Sequence, residues 1–212
     1  PVFETMFKDM GASLPAPTQI VVNMSRFVKS SIHYMIGALV VIVFMFKRYY
    51  KTEKGKRKID SLVLKAPIFG VLAIKASVAR VTRTLATLLS SGVAILESLL
   101  IVAKVAGNKV VEESLLVARS RISEGRSMSE PLQESGVFPP MVVQMIEVGE
   151  STGALDNMLN KIADFYEDDV DTLVTNLTAM MEPMIMMFLG VILGGLIIAM
   201  YLPIFKLGSA VG

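Results

Sequence analysis

The chain has 212 residues, 53% of them hydrophobic and 19% charged, with a formal net charge of +2. That is more apolar and less charged than a typical soluble domain, over a length that admits one or two domains. No cysteine and a single histidine, His33, are present, which excludes thiol catalysis, disulfides and thiolate zinc sites and leaves little to hold a transition metal; no cofactor or metal is expected.

In chain order, residues 1–29 read as an amphipathic segment. "VFETMF" suggests a short amphipathic turn, and Pro15 and Pro17 mark a break before a helix that leads into the first apolar run. That run, residues 30–46, is 17 residues without a charge; a second, residues 183–205, is 23 residues long. At about 1.5 Å per residue the second spans roughly 35 Å, enough for a hydrocarbon core of about 30 Å. The first reaches only roughly 26 Å, so its ends must extend into the interface or the bilayer must thin. Arg26, Lys29, Lys47 and Arg48 can snorkel to the headgroups. Both runs read as transmembrane helices, and neither has the position or cleavage site of a signal peptide. His33, at the mouth of the first run, reads as an interfacial polar residue, with a proton-relay or ligand role as the alternative.

Charge is segregated. Residues 47–58, "KRYYKTEKGKRK", hold Lys47, Arg48, Lys51, Lys54, Lys56, Arg57 and Lys58 against one Glu, whereas residues 59–182 hold ten Lys/Arg against sixteen Asp/Glu, a net of −6. Positive residues beside a membrane helix favour the cytoplasmic side. Residues 47–182 are therefore expected in the cytoplasm, with residues 1–29 and the tail 206–212 in the periplasm of a two-membrane envelope. The basic run reads as a topology determinant that also touches anionic lipid. Docking of an acidic partner is a second reading; nucleic acid is a third, disfavoured because the run abuts a membrane helix.

Residues 59–182 read as a bundle of about six helices, making the fold all-α. Val78, Val81, Leu85, Leu88 and Leu89 form one stripe that stops near Gly92. Ile95, Leu99 and Val102 form the next, ending at Gly107 as a C′ glycine. Asn108 reads as the N-cap of a helix that ends at Gly125. In the short segment "SMSEPLQESG", Pro131 is tolerable only in a first turn. A further helix opens after Pro139–Pro140. The last starts near Gly153 and carries Leu155, Met158, Leu159, Ile162, Phe165 and Tyr166. No breaker separates Leu155 from Pro183, so this helix is expected to continue into the second apolar run and to bend at the proline. Alternation and hairpin signals for strands are absent.

"MIEVGESTGAL", residues 145–155, raises the question of catalysis. Glu147 and Glu150 are three positions apart, Ser151 and Thr152 follow, and Gly149 and Gly153 frame the group. An acid–base pair would need a pocket and perturbed pKa values, and no histidine in this region is available to activate Ser151. The stretch reads as a tight corner between one helix ending around Gly149 and another beginning after Gly153, with partner contact through the glutamates as a compatible role. Phosphate-loop and dinucleotide motifs are absent, so nucleotide hydrolysis, if involved, belongs to a partner. In the second apolar run Gly190 and Gly194 make a G-x-x-x-G that Gly195 and Ala199 extend; it reads as a helix-packing face or as chance in an apolar helix. Apart from His33 the spans hold no ionisable residue, which argues against a transporter subunit and an intramembrane enzyme.

"LATLLSSGVAILESL", "GRSMSEPLQESGVFPPMVVQMIEVGESTGALDNML" and "EPMIMMFLGVILGGLIIAMYLPIFKL" closely resemble the inner-membrane platform proteins of type IV pilus and type II secretion machines. The resemblance covers essentially the whole chain. It implies a non-enzymatic protein at the base of the pilus that contacts hexameric assembly and retraction ATPases, pilin subunits, inner-membrane alignment proteins and further copies of itself. It also implies that this chain is the C-terminal half of such a protein, as its start at Pro1 suggests. "ADFYEDDVD" with "YLPIFKLG" looks more like the pilus branch; the secretion branch is the alternative. The family's glycine–glutamate corner maps onto Gly149, Glu150 and Gly153, led into by Phe138, Pro139 and Pro140.

Overall fold

The computed structural model describes residues 15–210, and for Ile204 and residues 206–210 only the backbone. The turn expected at "VFETMF" lies outside the described residues. Among these the chain forms eight helices and no strand: α1 Ala16–Tyr50, α2 Glu53–Lys65, α3 Phe69–Ser90, α4 Ile95–Val105, α5 Lys109–Ser123, α6 Ser129–Glu134, α7 Pro140–Thr152 and α8 Leu155–Ala210. They divide between two compact units, one of them Lys47–Asn176 and the other the described residues on either side of it.

In the flanking unit, α1 and α8 each carry a stretch long and apolar enough to cross a membrane. The 17-residue run sits inside a helix of 35 residues, about 53 Å long, which supplies the polar ends the short run lacked. Leu39, Ile42, Phe44, Met186, Met187 and Val191 are all more than half exposed, as side chains that face lipid rather than a protein core should be. α8 runs through Pro183 and Pro203 without a break. A proline has no N–H and its ring displaces the carbonyl four residues back, so Pro203 frees the carbonyl of Ala199. The buried hydroxyl of Thr18, from α1, donates to that carbonyl at 2.6 Å. Thr18→Val should therefore destabilise the detergent-solubilised chain by about 1 kcal/mol, the scale of an interhelical hydrogen bond in a membrane protein. The loss should nearly vanish in a Pro203→Ala background, where residue 203 regains a donor for Ala199; thermal melts of the two single variants and the double variant measure the difference.

The unit Lys47–Asn176 begins with a tight link. Thr52 caps α2, accepting from Gly55 N–H at 3.1 Å and donating to the Tyr49 carbonyl at 2.7 Å. No side chain fits at Gly55, where a Cβ would lie 2.1 Å from the Tyr49 carbonyl oxygen. Asp60, buried in the third turn of α2, accepts from the Tyr50 hydroxyl at 3.0 Å and from the Lys109 N–H at 2.7 Å. One carboxylate thus joins the end of α1, α2 and the start of α5, with its burial compensated by both bonds. α2 was not foreseen: Ile59, Leu62 and Val63 recur at helical spacing within a strongly charged run, but Leu62 and Val63 are exposed and a glycine and an aspartate occupy the inner face.

The core holds Val78, Val81, Leu85, Leu99, Val102, Leu115, Met128, Leu132, Ile146, Leu159, Ile162 and Tyr166, so the stripes expected on α3, α4 and α8 do face inward. Leu88, Leu89, Ile95 and Leu155 pack at its margin. Phe165 does not: it is 52% exposed and meets Tyr166 edge to face, with centroids 5.3 Å apart. Positive-φ glycines stand where the helices were expected to stop, Gly92, Gly107 and Gly125, and Asn108 caps α5 by accepting from Val110 and Val111 N–H.

Polar ties join α3 to the part of α8 that precedes the apolar run. Arg83 donates Nε to one oxygen of Glu167 at 2.9 Å and Nη2 to the other at 2.7 Å, and also bonds Asn160 and Asp164; Lys75 pairs with Asp169 at 2.5 Å. The hydrogen bond from Arg83 holds the Glu167 carboxyl below its ordinary value, while the carboxylates raise the Arg83 pKa. A depressed carboxylate stabilises the fold above its unfolded pKa, and the contribution disappears as pH falls through the lower folded value. Arg83→Gln should accordingly cost about 0.2–1 kcal/mol at neutral pH, since the pairs are largely exposed. Its difference from the parent chain should shrink in melts taken below the ordinary carboxylate range.

Candidate functional site

The stretch Met145–Leu155 is the corner from α7 to α8. Pro140 opens α7 at N1 with its φ already helical, and Gly153 closes it at φ 72°, a left-handed conformation suited to glycine. The helix does not end around Gly149 as expected but runs to Thr152. Gly149 is buried within it because α8 passes there: a Cβ would lie 2.9 Å from Leu155 Cα and 3.2 Å from Met158 Cβ. Ser151 and Thr152 donate their hydroxyls to the Val148 carbonyl at 3.0 and 2.7 Å, satisfying the helix end rather than facing a base.

The two glutamates have different environments. Glu150 Oε1 accepts the Met128 N–H at 2.7 Å, and Oε2 accepts the Ser127 hydroxyl at 2.5 Å and, more weakly, the Ser129 N–H at 3.4 Å. Met128, the fully buried N-cap residue of α6, has no side-chain cap of its own. Glu150 supplies that cap from another helix, where a negative charge is also favoured by the helix dipole. Glu147 is exposed and has no hydrogen-bond or ion-pair partner among the described residues. Gly149, Glu150 and Gly153 thus build the corner, and Glu147 stands on its outer side.

The other expected residues are spread apart. Lys47, Arg48, Lys51, Lys54, Arg57 and Lys58 are exposed and Lys56 half-buried, with Arg57 paired to Glu113 at 3.0 Å. Gly190, Gly194 and Gly195 lie in α8 where an added Cβ would meet nothing within 4 Å. The anchoring role of Glu150 had no local signal, because its partners are 21–23 residues away. Thr18 had none either, although Pro203 in an apolar run marked a freed carbonyl at Ala199.

These features define an all-helical membrane protein: two apolar helices of membrane-crossing length, and between them in sequence a helical bundle closed by a glycine–glutamate corner. Residues 81–203 match the family described as type II secretion system (T2SS), protein F, and the chain belongs to that family, as its sequence resemblance led us to expect. It is 50% identical over 211 residues to the type IV pilus assembly protein PilC of Myxococcus xanthus, covering 100% of this chain and 51% of that protein. With the PilC of Pseudomonas aeruginosa it shares 44% over 100% of this chain and 57% of that protein. The type II secretion system protein F of Pseudomonas aeruginosa is 31% identical over 98% of this chain and 51% of that protein. The chain spans about half the length of these curated relatives.

Proposed function

We propose that this chain acts as part of an inner-membrane platform of a type IV pilus machine, coupling cytoplasmic assembly and retraction ATPases to the insertion and extraction of pilin subunits. The observation that carries this reading is the difference in identity over essentially the whole chain: 50% and 44% to pilus assembly proteins against 31% to a secretion protein F. The continuity of α8, one helix from Leu155 through the apolar run, supports a mechanical rather than a catalytic role. Nucleotide hydrolysis would then belong to the ATPases.

In this reading residues 47–182 face the cytoplasm, and Lys47 to Lys58 set the orientation and touch anionic lipid. Glu147 is the corner's contact for a partner, and Gly149, Glu150 and Gly153 hold the geometry that presents it. The open glycine face at Gly190, Gly194 and Gly195 packs against another membrane helix, within the protein or across a dimer.

Deleting the gene from its host tests the reading. Surface pili and twitching should be lost and then restored by the intact gene. Retained pili with a loss of secreted proteins would place the protein in the secretion branch instead. Because the chain has no cysteine, Ser13→Cys and Ser209→Cys report topology separately, and both should label with an impermeant thiol reagent before the inner membrane is lysed.

A further inference from the structure

The junction of α2 and α3 displays large apolar side chains that the bundle does not use. Leu62 is 71% exposed, Ile68 59% and Phe69 67%, with Val71 beside them. α2 and α3 meet there at 109°. The corner is made by Ile68 at φ 66°, ψ −61°, with the Phe69 N–H donating to the Pro67 carbonyl at 2.7 Å. This is the rare, strained form of γ-turn, and φ is positive at a β-branched residue. Gly70 follows, where a Cβ would lie 2.4 Å from the Leu64 carbonyl oxygen. A tight corner could be closed by small polar residues; here it holds two of the largest apolar side chains outward.

Lys54, Lys58 and Lys65 recur with Leu62 at helical spacing on α2. All three lysines are exposed, and none has an acidic partner among the described residues. The position of this face follows from the chain. α2 starts three residues after the end of α1, and Tyr50 in the last turn of α1 holds Asp60 in the third turn of α2. The end of α2 at Lys65 is five residues beyond Asp60, about 7.5 Å at helical rise, and Ile68 follows three residues later. α2 is too charged to cross a bilayer, and α3 is committed to the core through Val78, Val81 and Leu85. A lysine-bearing face that ends in an exposed apolar tip, fixed near the end of a membrane helix, has the chemistry of an element that lies in the interface.

We propose that the α2–α3 junction is a membrane-surface anchor. Ile68 and Phe69 insert among the acyl chains near the headgroups of an anionic bilayer, and Lys54, Lys58 and Lys65 contact its phosphates. This rests on α1 being in the membrane and not on the pilus assignment.

The test uses the full chain in phosphatidylethanolamine–phosphatidylglycerol proteoliposomes, with one nitroxide-labelled cysteine at a time. Phe69→Cys and Leu62→Cys are the test sites, chosen to avoid the strained residue. Ser151→Cys is the water-exposed reference and Val41→Cys the control for insertion of α1. With the Val41 label oxygen-accessible, the labels at 69 and 62 should collide more with oxygen than with a water-soluble nickel complex, the reverse of the Ser151 label. A combined Lys58→Glu and Lys65→Glu change should move the position-69 label toward the nickel reagent. Labels at 69 and 62 that behave like the Ser151 label would overturn the proposal. So would labels shielded from both reagents, which would assign the tip to protein contact with a second copy. A water-exposed Val41 label would refute the membrane reading of α1 and this proposal with it.

Discussion

Replacing Gly149 with valine should destabilise the chain by about 3 kcal/mol, the upper end of the usual cost of overpacking. The nearest obstacle to a Cβ is Leu155 Cα at 2.9 Å, a backbone atom at the first residue of α8 that cannot rotate away. Gly149→Ala should cost less. Alanine gains about 1 kcal/mol of helix propensity over glycine, which offsets part of the clash. Gly194→Ala is the contrast: its added methyl meets nothing within 4 Å, so the propensity gain is unopposed and the melting temperature of the solubilised chain should hold or rise. Thermal melts followed by circular dichroism would rank the three. A Gly149→Val variant as stable as its parent would mean that α7 and α8 do not approach as closely as described.

The second expectation concerns the two glutamates. Glu150→Ala removes the acceptor for the buried Met128 N–H and the Ser127 hydroxyl. Leaving a buried donor unsatisfied costs about 1–3 kcal/mol, and in α6, only six residues long, the other side-chain acceptor, Ser127 Oγ, takes the Ser129 N–H at 3.1 Å and leaves the Met128 N–H to Glu150. Glu147→Ala removes an exposed carboxylate with no partner among the described residues and should stay within about 0.5 kcal/mol of the parent. If Glu147 contacts an ATPase, Glu147→Lys should weaken binding in a pull-down while the melting temperature holds. Glu150→Ala should lower the melting temperature whether or not binding changes. Equal stability of the two variants would contradict the capping geometry.

The order of helices in the bundle was legible because this sequence marks its boundaries with residues of restricted use. Gly92, Gly107 and Gly125 all have positive φ, Asn108 is a true side-chain cap, and Pro140 is at N1. The inner face of α2 was not legible, because a hydrophobic period is read as the buried face, whereas this helix buries Gly55 and Asp60 and leaves Leu62 and Val63 exposed. The corner was recognisable as a corner, but the division of labour between Glu147 and Glu150 was not. It depends on bringing Ser127–Ser129 beside α7, a tertiary event that no local spacing encodes. The same holds for Gly149, which resembles a helix terminator in sequence and is instead a gap left open for Leu155 and Met158.

The bond from Thr18 to Ala199 has a geometric consequence for the two apolar helices. Smooth apolar helices in lipid can slide along one another at little cost, because every offset buries similar side chains. Pro203 makes one carbonyl of α8 different from its neighbours, and Thr18 can meet it at a single offset. Sliding by one helical turn, about 5.4 Å, would lose the bond with no equivalent acceptor one turn away. The pair is keyed like a shaft in a slotted collar, its axial position set by a missing N–H rather than by an added group.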